Sequence, residues 1–350
     1  MTLTGRKPTL AAIARLTGVS TPTVSKVVNG REDVAAETRA KVLAALEEAG
    51  YESPTHRRTT HRTGIVEVAF DSINSNYASS VLDGILAQAA TMGVEVVLSV
   101  TGSAASSGFD LERRAQRTVD EDRSGIIVVT SAFTGSHLAA FHRRRVPVVV
   151  IDPLNPPPSD VVSVGATNWA GGKAAAEHLL DLGHRRIAYL GGPDSAECSQ
   201  ARLHGYMSAL MSRGVEVDPR LVRHGRFRVE DGVEGLTALL ALDERPTAIF
   251  SGSDAIAVGV LREARRRRIH VPEELSLVGF DGTALAEDSV PALTSVAQPL
   301  HDMGRTALRT LLRQAHGEQL DSHRVELATQ LVVRESTAPA PAPAPTPTPA

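Results

Sequence analysis

The chain has 350 residues, enough for two or three domains with buried cores, and a net charge of −3. That charge is uneven: residues 1–62 hold 10 Lys and Arg against 6 Asp and Glu, while the remainder holds 27 against 34. A basic head on an acidic body suits nucleic-acid contact at one end, because neutralised phosphates supply much of such affinity. The single cysteine, Cys198, excludes an intramolecular disulfide and a Cys-rich zinc site. The chain has no run of about 18 apolar residues and no signal-peptide core, so a cytoplasmic protein without a membrane partner is expected.

Residues 1–8 read as a loose basic leader. Leu10, Ile13 and Leu16 then recur at the spacing of one helix face. Thr17-Gly18-Val19 breaks the pattern, since glycine takes the positive φ that a tight turn needs. Ser20 is a good N-cap for a second helix, with Pro22 in its first turn, where a missing N–H costs little. Val24, Val27 and Val28 give this helix an apolar face, and Thr21, Thr23, Ser25, Lys26 and Asn29 stay polar. Two short helices joined by a Gly turn, the second carrying small hydrogen-bonding residues and a cation, follow the helix-turn-helix plan. A third helix is expected from about Ala36 to Ala49, with Val42, Leu43 and Leu46 inward and Gly50 just past its end.

The run A-x-I-A-R-L-T-G-V-S-T-x-T-V-S-K-V-V-N-G, with Glu37-Thr38-Arg39 and Val42–Tyr51 after it, resembles the N-terminal signature of the lactose-repressor (LacI/GalR) family of bacterial transcription regulators. The resemblance continues more loosely to about Ser336. It implies an all-α helix-turn-helix domain followed by a two-lobed α/β effector domain of the periplasmic-binding-protein-like type I fold. It also implies a homodimer reading a palindromic double-stranded operator. In that scheme Thr21, Pro22 and Lys26 occupy the base-facing positions. Lys26 stands where Arg is commoner, so it offers a point donor to guanine without the bidentate fork. Pro22 can give only an apolar contact. Thr9, Ser20, Thr23, Ser25 and Asn29 suit phosphates, which fix register.

Residues 52–63, ESPTHRRTTHRT, form a polar, basic linker. The family's hinge helix wedges a Leu into the minor groove, and no Leu, Ile, Met or Phe lies between Tyr51 and Ile65. The linker is also about two residues short, and Ala35 replaces a usual capping Ser. Arg57, Arg58 and Arg62 remain able to reach phosphates or a narrow minor groove.

From Gly64 the grammar changes to βα alternation. Apolar β-branched runs at 65–70, 94–100, 125–130 and 146–151 are separated by helical patterns at about 77–92, 110–122 and 136–144. A second series places strands at 163–164, 186–191, 248–253 and 276–280, with helices near 170–182, 199–213, 229–241 and 254–267. Such alternation predicts parallel sheets covered on both faces, and two series suggest two similar lobes. The resemblance divides them as 64–165 with 298–322 and 166–297 with 323–336. Ligands of these folds sit at strand carboxyl ends, which points to the cleft between lobes.

The resemblance also supplies effector-site candidates. Arg202 matches a family Arg that hydrogen-bonds effector hydroxyls, and its planar fork of five donors suits vicinal hydroxyls or a carboxylate. Asp281 ends a strand where the family places a hydroxyl-accepting Asp, and it could equally cap the next turn. Ser253-Asp254 stands where Asn-Asp is commoner, and Asp254 could chiefly cap the helix it begins. Phe227 aligns with a family aromatic against the ligand. Position adds three more: Tyr77 begins the first lobe's first helix, which faces the cleft, Asp152 ends its fourth strand, and Trp169, the only tryptophan, stands at the start of a helix. Aromatic faces with Arg and Asp on the hydroxyls make a carbohydrate-type pocket. Ala196 and Cys198 lower the case for a purine effector.

Catalytic patterns are lacking: there is no G-x-S-x-G, H-E-x-x-H, Walker A or G-x-G-x-x-G, and no His pair at ligand spacing. No cofactor, metal or enzymatic activity is expected. Residues 337–350 read as a disordered Pro/Ala/Thr tail without the Leu heptads of a coiled coil. The expected function is a ligand-controlled regulator, most simply a repressor of carbohydrate-utilisation genes. A sugar-binding transport protein and an enzyme using the same cleft are the rivals.

Overall fold

The computed structural model describes residues 9–28, 31, 34–49, 51, 63–100, 111–130, 135–155 and 158–341. They fall into two compact units, 1–62 and 63–350. Asn29, Gly50, Arg57, Arg58 and Arg62, singled out above, lie outside the described residues.

The first unit holds helices α1 (Leu10–Thr17), α2 (Thr21–Val28) and α3 (Ala36–Glu48). The Thr9 hydroxyl caps α1 by accepting from the Ala12 N–H, and Gly18 closes it at φ +69°, a conformation costly for any residue with a Cβ. The Ser20 hydroxyl accepts from the Thr23 N–H at 3.3 Å and caps α2, as its position predicts. Ile13, Ala14, Val24, Val27, Val42 and Leu46 form the core. Two expectations fail here. Leu16 is 63% exposed, because the buried stripe of α1 runs through Ile13, Ala14 and Thr17, and Leu16 lies about 100° round from its centre. Leu43, about 100° round α3 from Val42, is likewise exposed.

The second unit contains two six-stranded sheets. The first has β1 (Thr63–Phe70), β2 (Glu95–Val100), β3 (Arg123–Val129), β4 (Val148–Ile151) and β5 (Val162–Ala166), linked by α4 (Asn76–Met92), α5 (Leu111–Asp120) and α6 (Gly135–Arg143). The second follows with α7 (Asn168–Asp181), β6 (Ile187–Gly191), α8 (Glu197–Ser212), β7 (Val222–His224), α9 (Val229–Leu240) and β8 (Ala248–Ser251). It continues through α10 (Asp254–Arg267), β9 (Ser276–Asp281), the short α11 (Ala284–Asp288) and β10 (Thr294–Ala297). The chain then returns to the first lobe with α12 (Leu300–Ala315) and β11 (Arg324–Leu327), and ends in the second with β12 (Gln330–Val332).

Strand order is β11-β5-β4-β3-β1-β2 in one sheet and β12-β10-β9-β8-β6-β7 in the other. All pairings are parallel except β10–β12. Strands buried on both faces explain the unbroken Val/Ile runs of β3 and β4. Helix α12 buries Met303, Leu308 and Leu311 against α4, β3 and β4 of the first lobe.

Three features depart from the sequence reading. The last crossing lies between Leu327 and Gln330, not at 322/323, because β11 pairs with β5 and packs Val325 and Leu327 on the first core. Its two charged residues in R-V-E-L conceal a half-buried edge strand. Strands β7, β10, β11 and β12 lie outside the expected set, because their three or four residues (VRH, TSVA, RVEL, QLV) make no continuous apolar run. Finally, residues 337–340 are tied down: Ala338 N donates to Ser276 Oγ at 3.0 Å, and Ala340 N donates to Leu182 O at 2.8 Å. His184 Nε2 lies 3.0 Å from the Ala338 carbonyl. Main-chain bonding, which composition does not reveal, holds this segment.

Candidate effector cleft and DNA-reading helix

In the first unit, Thr21, Pro22 and Lys26 are exposed on α2, while Val24 and Val27 are buried. A residue and its neighbour four further on share a helix face, so Pro22 and Lys26 present one stripe to solvent. Ser25 is half-buried. The hydroxyls of Thr9 and Ser20 serve as caps, and Ser20 Oγ is 2.8 Å from Thr23 Oγ1. Their bonds to the chain thus shape the helix ends that would meet a phosphate.

In the second unit a cavity of about 430 Å³ opens between the lobes. Its walls come from the carboxyl ends of strands in both sheets: Asp71 after β1, Thr130 after β3, Asp152 after β4, Ser253 after β8 and Asp281 at the end of β9. This is where parallel sheets leave side chains and backbone free for ligands. Tyr77, Asp152, Arg202, Phe227, Ser253 and Asp281 converge there as expected.

Arg202, on α8, is the best-held of them. Nε donates to Asn168 Oδ1 at 2.8 Å, and Nη1 donates to the Gly252 carbonyl at 2.6 Å. Asp281 Oδ1 lies 3.5 Å from Nη1. The guanidinium stacks on Phe280, 3.8 Å from the ring centroid, with Phe227 at 5.7 Å. Among the described residues Nη2 has no partner, so this buried fork keeps donors for a guest. Gly172 on α7 permits the arrangement, since a Cβ there would stand 2.2 Å from the Arg202 carbonyl oxygen.

Asp281 accepts from Gln298 Nε2 at 2.8 Å. Burial pushes its carboxyl up to about 7, against the pull of Arg202. Asp152 Oδ2 accepts from the Tyr77 hydroxyl at 2.6 Å, and burial raises both groups above their ordinary ranges. Asp71 is raised by burial too, opposed by Arg228 across the cleft.

Four lining residues, Thr130 (φ +48°), Asp152 (+43°), Phe227 (+60°) and Asp281 (+106°), adopt left-handed backbone without being glycine. Such conformations cost of order 1–3 kcal/mol each and concentrate at functional sites. No sequence signal marks them.

Two candidates stand elsewhere. Asp254 is buried away from the cavity: its carboxylate accepts from Thr283 N (2.7 Å), Thr283 Oγ1 (2.9 Å) and Ser295 Oγ (2.6 Å). Ser253 takes the capping role considered for Asp254, its hydroxyl accepting from the Ile256 N–H at 3.2 Å. Trp169 lines a separate cavity of about 200 Å³. Asn74, Arg226, Arg228, Thr283 and Leu285 line the main cavity and were missed, since each sits in a loop or short element without periodicity.

Comparison with known proteins agrees with both halves. Residues 9–53 match the family of bacterial regulatory proteins, lacI family, and residues 176–337 match the periplasmic binding protein-like domain. The HTH-type transcriptional regulator CelR of Thermobifida fusca is 34% identical over 340 residues, covering 95% of this chain and 98% of CelR. The chain belongs to the LacI family. The regulator DegA of Bacillus subtilis is 32% identical, with 95% and 99% covered. Among solved structures, the CelR–cellobiose complex superposes with a TM-score of 0.72 at 32% identity, covering 94% of this chain and 99% of that one. The lac repressor dimer bound to operator and the anti-inducer ONPF gives 0.69 at 26%, covering 95% and 100%. In keeping with family members, the chain is a DNA-binding transcriptional regulator and not an enzyme.

Proposed function

We propose that this LacI-family chain represses carbohydrate-utilisation genes from a palindromic operator, as a cytoplasmic homodimer, and that a sugar-type effector in the inter-lobe cleft sets its operator affinity. The observation that carries the reading is the cleft chemistry. A buried guanidinium with spare donors, two carboxylates at strand ends and the Phe227 ring suit a polyhydroxylated ring better than a purine. The relatives point the same way, since CelR was solved with cellobiose and another relative is a ribose operon repressor. Thr21, Pro22 and Lys26 read bases, while Ser25 and the caps Thr9 and Ser20 support phosphate contacts. A guest bridging Arg202 and Asp281 of one lobe to Tyr77 and Asp152 of the other favours one lobe orientation, and its differential affinity is the free energy of control. Apolar side chains exposed on α4 and on edge strand β2, among them Leu86, Leu98 and Val100, support a dimer through this face.

The test joins both sites in the full chain. Operator fragments selected from random DNA should bind the wild type, and a sugar that raises its melting temperature should alter that affinity. Lys26→Ala should lose specific DNA binding and keep the thermal response to sugar. Specific binding retained by Lys26→Ala would refute its role, and a silent panel of sugars would refute the carbohydrate reading.

A further inference from the structure

Trp169 poses a question that the main cleft does not answer. It is the only tryptophan in the chain, stands in the first turn of α7 and is 47% exposed. A large indole left half in water forgoes much of its burial energy, which is unusual away from an interface or ligand surface. Trp169 lines the smaller cavity of about 200 Å³, which shares Asp152 and Cys198 with the lining of the main cavity.

The Asp152 carboxylate faces both spaces. Its Oδ2 takes the Tyr77 hydroxyl on the main-cavity side. Its Oδ1 looks toward Gly165 of the smaller cavity, where an added Cβ would stand 3.2 Å away, and accepts no hydrogen bond among the described residues. The lining of this cavity also carries charged side chains. Arg324, from β11 of the first lobe, donates to Glu197 of α8 in the second lobe at 2.6 Å and to Glu326 at 2.9 Å. All three are partly exposed, so their remaining donors and acceptors are open to hydroxyls. An aromatic ring and charged hydrogen-bonding groups lining one cavity are the elements that hold a sugar ring.

We infer that the effector site has two subsites, and that the cavity between Trp169 and the Arg324–Glu197–Glu326 cluster takes a second glycosyl unit, making the effector an oligosaccharide of at least two rings. This rests on the carbohydrate reading of the main cleft. One ring engages Arg202 and Asp281, Asp152 stands at the junction, and the next ring stacks on Trp169.

The lone tryptophan makes the test direct. Glucose, xylose, cellobiose, cellotriose, maltose and isomaltose are titrated into the full-length protein, following heat by calorimetry and Trp emission by fluorescence. At least one oligosaccharide should bind and change the emission, while its component monosaccharide, if it binds, leaves the emission unchanged. Trp169→Ala should weaken that oligosaccharide about tenfold, as expected for one aromatic contact, and leave monosaccharide binding alone. Trp169→Phe should recover most of the loss. Because the indole is exposed, both variants should melt near the wild type. Sugar binding that is abolished by Arg202→Ala but is no tighter for two rings than one, with silent Trp emission, overturns the second subsite and leaves the cleft assignment standing. No heat with any of these sugars overturns both.

Discussion

The guanidinium of Arg202 lies 3.8 Å from the centroid of the Phe280 ring, so a charge from α8 rests on the face of a side chain from β9. The stacking fixes the plane of the fork, and the bonds to Asn168 and Gly252 fix its rotation. A lysine keeps the charge but has neither the plane nor the second set of donors. Arg202→Lys is therefore expected to cost about 1–3 kcal/mol in folding, by leaving buried acceptors unpaired. It should also lower effector affinity at least about tenfold. Urea titration and calorimetry separate the two effects. An affinity equal to wild type would show that the effector does not use the fork.

Asp281 gives a pH prediction with a definite sign. Its folded value, about 7, is above the ordinary 3.8, so the folded state holds this proton more tightly than the unfolded chain. The group's contribution to stability is therefore greatest below the ordinary value and is lost as pH rises through about 7. Melting temperature measured between about pH 4 and 8 should fall less steeply with rising pH in Asp281→Asn than in the wild type. Parallel profiles would mean that the carboxyl is ionised throughout.

Dimerisation through β2 and α4 predicts that Leu98→Asp is monomeric at concentrations where the wild type is not. Burying an unpaired charge in an apolar interface is strongly unfavourable. Sedimentation velocity reads the outcome directly, and operator affinity should fall with it because two heads no longer bind as a unit. A dimer of unchanged affinity would move the interface elsewhere.

The end of the chain offers a graded test. His178 Nε2 is 3.0 Å from Thr337 Oγ1, and the Ala338 and Ala340 backbones bond to Ser276, His184 and Leu182. Burial lowers both histidines, keeping them neutral partners for these bonds. Removing residues 342–350 should leave stability unchanged. Removing 337–350 should cost about 2–4 kcal/mol, a few net hydrogen bonds, as read by urea unfolding.

How far the sequence reached depended on the kind of force involved. The helix-turn-helix and the long βα units were legible because burial imposes a period, and Ser20, Gly18 and the Val/Ile runs report local geometry directly. Leu16 and Leu43 misled because three short helices meet along a narrow stripe, which periodicity overestimates. In the cleft, Arg202, Asp281 and Phe227 are legible through family resemblance, and Tyr77 and Asp152 through their places at a helix start and a strand end. Their left-handed backbones and the Gln298 support for Asp281 leave no local trace. The cap falls to Ser253 and Asp254 turns inward because Thr283 and Ser295, distant in sequence, supply the partners that bury Asp254.

The three crossings between lobes have a consequence for how the protein is made. The first lobe draws α12 and β11 from residues 300–327, so its core lacks Met303, Leu308 and Leu311 until the whole second lobe up to β10 has been made. The head, by contrast, has its whole core within residues 13–46 and is complete early. Domains emerging from the ribosome fold as their last contacts arrive. A prematurely ended chain thus carries a reading head on an unfinished sensor, exposing apolar surface that proteolysis recognises.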